Sequence, residues 1–209
     1  MAIDYQVRQG DCISSIAFEH GFFGDTLWNH PNNAELKKKR QNPNVLLPGD
    51  VVFIPDKRLK EVSEPTNNVH KFRVKNTPEI FRLRLLVDGA PRAREPYELE
   101  IGELKLTGTT DTEGWLRQSI PPDARRGMLT LNEGAETYHL QFGSLDPDDE
   151  ISGAQGRLRN LGYYGGALEG RLSDELANAV RRYQAAKNLQ ADGTLTSATR
   201  TALQQDHIA

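Results

Sequence analysis

The spacing of apolar residues changes twice along this chain, and those changes limit what it can fold into. Between His70 and Phe142 apolar side chains recur at every second position. Phe81, Leu83, Leu85 and Val87 alternate with Arg82, Arg84 and Leu86, and Tyr138, Leu140 and Phe142 alternate with His139 and Gln141. Successive side chains of a strand point to opposite faces, so this period predicts half-buried strands. On either side the period is helical: Ile13, Ile16 and Ala17 share a face near the start, and Leu176, Val180 and Tyr183 share one near the end. The expected architecture is α+β multidomain. A strand–helix–helix–strand module occupies 1–56, a linker 57–69 and an antiparallel β-sandwich of about six or seven short strands 70–143. An acidic hinge, "SLDPDDE", occupies 144–150, and a three-helix unit 151–209.

Local signals place the elements. Tyr5 to Gln9 reads as a strand, Ile13 to His20 and Ala34 to Arg40 as helices, and Val51 to Ile54 as a closing strand before Pro55. Asp11 is a candidate cap for the first helix, because a carboxylate accepts from unpaired backbone N–H groups. Gly49 falls where a turn calls for φ above zero. Residues 57–69, "KRLKEVSEPTNNV", have the polar composition of a linker. Asp88-Gly89 and Asn132 to Gly134 are turn signals, and Pro121-Pro122 excludes a central strand there. Ser173 is an N-cap followed by Asp174 and Glu175, which the helix dipole favours. Thr196 caps a last helix carrying Thr199 and Leu203.

Several function classes fall away on composition. The net charge is −3, whereas a general nucleic-acid binder is basic. No stretch approaches the ~20 apolar residues that span a bilayer. The single cysteine, Cys12, excludes an internal disulfide and a cysteine-based metal site. His20, His30, His70, His139 and His207 show no metal-ligand spacing, so neither a metal nor another cofactor is expected. Cys12 would need a partnered histidine to act as a nucleophile, and His20 lies along the same helix pointing elsewhere. The acidic run Asp146 to Glu150 is a hinge, not a rigid carboxylate pair across a cleft. The chain is therefore expected not to be an enzyme. Lys37 to Arg40 reads as a solvated helix face that could meet an acidic partner. Trp28 and Trp115 read as core anchors, each needing a partner for its N–H. Met1 to Gln6 lacks the basic and apolar regions of a secretory signal. That gives the expectation of cytoplasmic synthesis without a leader and delivery to periplasm or wall by a specialised machine.

Two segments carry family resemblances. "YQVRQGDCISSIA" and "NPNVLLPGDVVFIP" (Asn42 to Pro55) together resemble the LysM domain. The resemblance implies a βααβ fold that binds N-acetylglucosamine-containing glycans in a groove between two loops. Here those loops are Gly10, Asp11, Cys12 and Ile13 on one side and Asn44, Val45, Leu46, Leu47 and Pro48 on the other. Backbone groups would read the acetamides, and Val45, Leu46 and Leu47 would cover sugar faces. The chain departs from the family in its longer connection between the helices, "FFGDTLWNHPNNAELKKKRQ", and in Cys12, where Thr or Ser is common.

The segment from Leu158 to Leu203, "LRNLGYYGGALEGRLSDELANAVRRYQAAKNLQADGTLTSATRTAL", resembles the three-helix peptidoglycan-binding domain often attached to cell-wall hydrolases. The resemblance implies that the glycan or stem peptide lies in a shallow groove beside the two turns, with Tyr163, Tyr164, Gly165, Gly170, Asp192 and Gly193 as candidate contacts. One of the two tyrosines packs on the helices, and the other could stack on a sugar. The middle block, through "TGTTDTEGWL" (Thr107 to Leu116), resembles immunoglobulin-like or carboxypeptidase-regulatory-like sandwiches, which implies architecture alone.

These resemblances imply a non-catalytic adaptor gripping peptidoglycan at both ends, where two weak sites on one chain give avidity. The long LysM-like block is also similar to ones found with contractile injection systems of the type VI kind and phage baseplates. There LysM serves as a protein–protein joint, so a protein partner is the alternative.

Overall fold

In the computed structural model the described residues are 1–57, 69, 78–87 and 89–207. Most of the expected linker, and the first residues of the expected sandwich block, 70–77, lie outside them. Strands β1 (Ile3–Gln6) and β2 (Val51–Ile54) pair antiparallel, Ile3 opposite Ile54 and Gln6 opposite Val51. Between them run α1 (Ile13–Glu19), α2 (Gly24–Trp28), a 3-10 turn (Pro31–Asn33) and α3 (Ala34–Arg40). The expected order is present, and the long connection is filled by α2 and the 3-10 turn. Ile13, Ile16, Leu27, Trp28, Leu36 and Leu46 meet in one core with Val52 and Ile54 of β2. The cap of α1 is Cys12, not Asp11. Cys12 Sγ accepts from the Ser15 N–H at 3.4 Å, and Ser15 Oγ accepts from the Cys12 N–H at 3.1 Å. Two orphan N–H groups are thus satisfied reciprocally, which leaves Asp11 for another task.

Among the described residues the middle unit has eight strands: β3 (Glu79–Arg84), β4 (Leu86–Val87), β5 (Ala90–Pro91), β6 (Pro96–Ile101), β7 (Leu104–Thr109), β8 (Trp115–Ile120), β9 (Arg126–Leu131) and β10 (Glu136–Gln141). Among the described residues they form an antiparallel sheet of order β10-β9-β6-β7 and two separate pairs, β3–β8 and β4–β5. The alternating run 81–87 is split between sheets. Leu85 leaves the ladder, its N–H donating to the Gly114 carbonyl and its carbonyl accepting from the Arg92 N–H. Phe81 and Leu83, Leu99, Leu116 and Leu129 share the core of this unit. Trp28 is buried, whereas Trp115 is half-buried with the Arg84 guanidinium 5.8 Å from its ring centre.

Three α-helices follow: α4 (Ile151–Asn160), α5 (Asp174–Ala186) and α6 (Ser197–Asp206). The acidic hinge is strapped onto them. Arg157 Nη1 on α4 donates to the Asp146 carbonyl at 2.9 Å, and Arg200 Nη1 on α6 donates to the carbonyls of Asp148 and Glu150. Gln204 Nε2 donates to the Asp148 carboxylate. A Cβ on Gly153 would collide with the Pro147 carbonyl, so α4 and the strap touch backbone to backbone.

The first unit also touches the middle unit and the start of the strap. Asp11 Oδ1 accepts from Arg125 Nη2 at 2.6 Å, and Gln9 Nε2 donates to the Ser144 carbonyl at 3.2 Å. A Cβ on Gly143 would stand 2.5 Å from the Gly10 carbonyl oxygen. Lys37, Lys38 and Lys39 are exposed, but Arg40 does not belong to that solvated face: its side chain is 1% exposed and grips Asp50, Nε at 2.6 Å and Nη2 at 3.0 Å. Burial pushes the Asp50 carboxyl up, but the Arg40 hydrogen bond and the Leu47 N–H outweigh it and hold the carboxyl below its ordinary value.

Candidate functional site

The helical unit is organised by one device used twice. Gln155 on α4 accepts from the Gly170 N–H at 2.9 Å and donates to the Arg171 carbonyl at 3.1 Å. Gln184 on α5 accepts from the Gly193 N–H at 2.9 Å and donates to the Thr194 carbonyl at 3.0 Å. Both glutamines are buried, and both glycines have positive φ, 67° and 81°, which suits a residue without a Cβ. Each glycine is followed by a leucine and then a hydroxyl cap, "GRLS" and "GTLT". Ser173 Oγ accepts from the Leu176 N–H at 3.1 Å, and Thr196 Oγ1 accepts from the Thr199 N–H at 3.2 Å. Both caps stand where the sequence places them.

Beside the second turn lies a groove of ≈ 510 Å³, within the range of about 300–1,000 Å³ that holds small ligands. It is lined by Ile151 at the start of α4, Leu172 just before α5, Ala177 on α5 and Leu195, next to Leu176 and Val180 of α5, which are buried in the core. Asp174 and Arg200 stand among its polar lining. Leu172 is 74% exposed.

The residues singled out in the sequence fall into different places. Gly193 lines the groove. Asp192 shapes the turn: its Oδ1 accepts from the Thr194 N–H at 2.8 Å, from Gln184 Nε2 and from Thr194 Oγ1. The Thr194 N–H, then Gln184, hold this carboxyl below its ordinary value. Gly170 belongs to the first turn. Tyr164 is only 7% exposed, and its hydroxyl donates to the Ala167 carbonyl at 3.0 Å. Tyr163 is half-buried, edge-on to Tyr183 with ring centres 5.4 Å apart. Gly165 is exposed, with nothing within 4 Å of a built Cβ. Tyr163, Tyr164 and Gly165 do not line the groove.

In the first unit the two expected loops do approach each other, the Ile13 N–H donating to the Pro43 carbonyl at 2.9 Å. Ile13 and Leu46 are core, however, and Val45 is buried too. The apolar cover assigned to Val45, Leu46 and Leu47 reduces to Leu47, half-buried beside Asn44 and the exposed Pro48. Cys12 is committed to the α1 cap. Gly10 and Asp11 are closed over by Gly143 and Arg125.

Gln155, Gln184, Ile151, Leu172 and Leu195 escape a reading of the sequence alone. A signal for the glutamines exists in the repeated glycine–x–leucine–hydroxyl pattern, with a glutamine 15 residues before Gly170 and 9 before Gly193.

Residues 147–203 match the family described as "Putative peptidoglycan binding domain". A peptidoglycan-binding domain is present in this chain. The match begins at Pro147, so it takes in most of the strap as well as the helices. The chain is also similar to N-acetylmuramoyl-L-alanine amidase CwlM of Mycobacterium tuberculosis (strain ATCC 25618 / H37Rv), 38% identical over 60 residues. That segment is 29% of this chain and covers 15% of the amidase. No solved structure matches the chain. Among the described residues no helix is long and apolar enough to cross a membrane, and no group of three or more His, Cys, Asp or Glu is placed to hold a metal ion.

Proposed function

We propose that the chain is a non-catalytic wall-binding adaptor that holds peptidoglycan through its C-terminal domain. The observation that carries this reading is the coincidence of the family match at 147–203 with an open groove beside a latched turn. Two of the domain's acids are engaged within the fold, Asp192 in its turn and Asp206 by Tyr183 and Lys187. The test is co-sedimentation with purified sacculi. The full chain is expected in the pellet, a chain ending at residue 145 in the supernatant, and a zymogram of the full chain blank. Reproducible muropeptide release would overturn the non-catalytic role.

For the first unit we propose a LysM-like module used as a protein joint. The strand–helix–helix–strand order supports the LysM-like part. The engagement of Gly10 and Asp11 by Gly143 and Arg125 of the same chain makes that turn less open to a sugar, which favours the joint over a glycan site. A setting in an envelope-crossing machine is the corresponding proposal. Deleting residues 1–56 should abolish recruitment to such a machine and leave sacculus binding intact.

A further inference from the structure

The groove has a chemistry that separates the two halves of peptidoglycan. Leu172, Ile151, Ala177 and Leu195 give it an aliphatic surface next to the core residues Leu176 and Val180, and among the described residues no aromatic side chain lines it. The rings of the domain are elsewhere: Tyr164 and Tyr183 are buried, and Tyr163 packs against Tyr183. A hexose would press hydroxyls against methyl groups, which is costly without hydrogen-bond partners. The hydroxyls nearest at hand already have work, Ser173 capping α5 and Thr194 donating to Asp192. Arg200 is likewise engaged, by the carbonyls of Leu195, Asp148 and Glu150. Asp174 differs. It is exposed at the first residue of α5, lines the groove, and among the described residues its carboxylate takes part in no hydrogen bond or salt bridge.

We propose that this groove takes the peptide stem of peptidoglycan and not its glycan, with alanine methyls on the aliphatic walls and the ammonium of the stem's diamino acid at Asp174. This rests on the wall-binding reading above and specifies its ligand.

The experiment titrates the full chain, followed by amide chemical shifts and calorimetry, with two probes. One is a synthetic stem tetrapeptide containing alanine, glutamate and a diamino acid. The other is peptide-free glycan strands prepared by amidase digestion of sacculi. The stem peptide is expected to shift Ala177, Gly193 and Thr194, and the stripped glycan to leave them unmoved. Leu172→Asp, at an exposed position, should keep the melting temperature and weaken peptide binding about ten-fold or more, the worth of a buried leucine contact. Asp174→Asn, or acetylation of the peptide's side-chain amine, should each weaken it about three-fold, as for an exposed ion pair. Binding of stripped glycan without peptide, binding of neither while sacculi still pellet the chain, or peptide binding indifferent to both variants would overturn the proposal. Failure of the chain to pellet with sacculi would instead overturn the wall-binding reading itself.

Discussion

The turn after β1 and the turn after α5 carry the same two residues in opposite order, Gly10-Asp11 and Asp192-Gly193, and the molecule uses them differently. Both glycines have positive φ, 89° and 81°. Asp192 keeps its hydrogen bonds within its own domain, to Thr194 and Gln184. Asp11 is buried, satisfies Tyr5 and the Arg8 N–H, and then reaches another unit through Arg125. Similar turn chemistry therefore builds a scaffold in one place and a joint in the other. In neither place is the carboxylate left over for a ligand. In the C-terminal domain the proposed ligand surface is the aliphatic groove beside the turn.

The most damaging way to test the scaffold side is Tyr164→Ala. Truncating a buried aromatic side chain costs roughly 3–5 kcal/mol, so the melting transition of the C-terminal domain should fall sharply or vanish. An unchanged transition would return Tyr164 to the surface and to ligand stacking. Gln184→Ala comes next. It orphans the Gly193 N–H and the Thr194 carbonyl, at a cost of roughly 2–3 kcal/mol in urea unfolding. Gln155→Ala should cost somewhat less, because Gln184 also bonds Asp192 and Thr199. A negligible effect of both would dissolve the repeated device.

His207 makes the stability of the helical unit depend on pH. Burial, then the nearby Arg157, lowers its pKa from 6.5. The folded state thus disfavours the proton that the unfolded chain accepts. Stability is complete above about pH 6.5 and is lost as pH falls from there through the lower folded value. Thermal melts between pH 8 and 5 should show this decline, and His207→Gln should flatten it. The smallest effect belongs to the joint. Arg125 is substantially exposed, so Arg125→Ala should cost under about 1 kcal/mol. Its readout is local: with chito-oligosaccharide, amide shifts at residues 10–13 are expected in the variant and not in the parent chain. Equal shifts in both would mean that the turn is open to sugar after all.

Much of the scaffold is legible in the sequence because it is local. Ser173 and Thr196 cap the helices they precede, Gly49 takes the positive φ its turn implies, and the α3 and β2 bounds agree with the pattern. What is illegible depends on partners distant in the chain. Asp11 is a plausible cap until Arg125, 114 residues on, is seen to hold it. Arg40 looks solvated until Asp50 is folded under it. The two adjacent tyrosines cannot be told apart in the sequence, since burial of Tyr164 is decided by packing against α4 and α5. The lining of the groove is hard to pick out there because Ile151, Leu172 and Leu195 look in a linear reading like the core residues Leu176 and Val180 beside them.

The strap over residues 144–150 has a mechanical consequence. In the proposed wall-binding role the chain would be loaded by pulling. Tension arriving through the middle unit would reach α4 first and unwind it from its end if Asp146 to Glu150 hung loose. Here the strap is fastened to α4 by Arg157 and to α6 by Arg200 and Gln204, the first and last helices of the domain. Force entering at residue 146 is shared between both helices, and several bonds must yield together before either helix begins to peel.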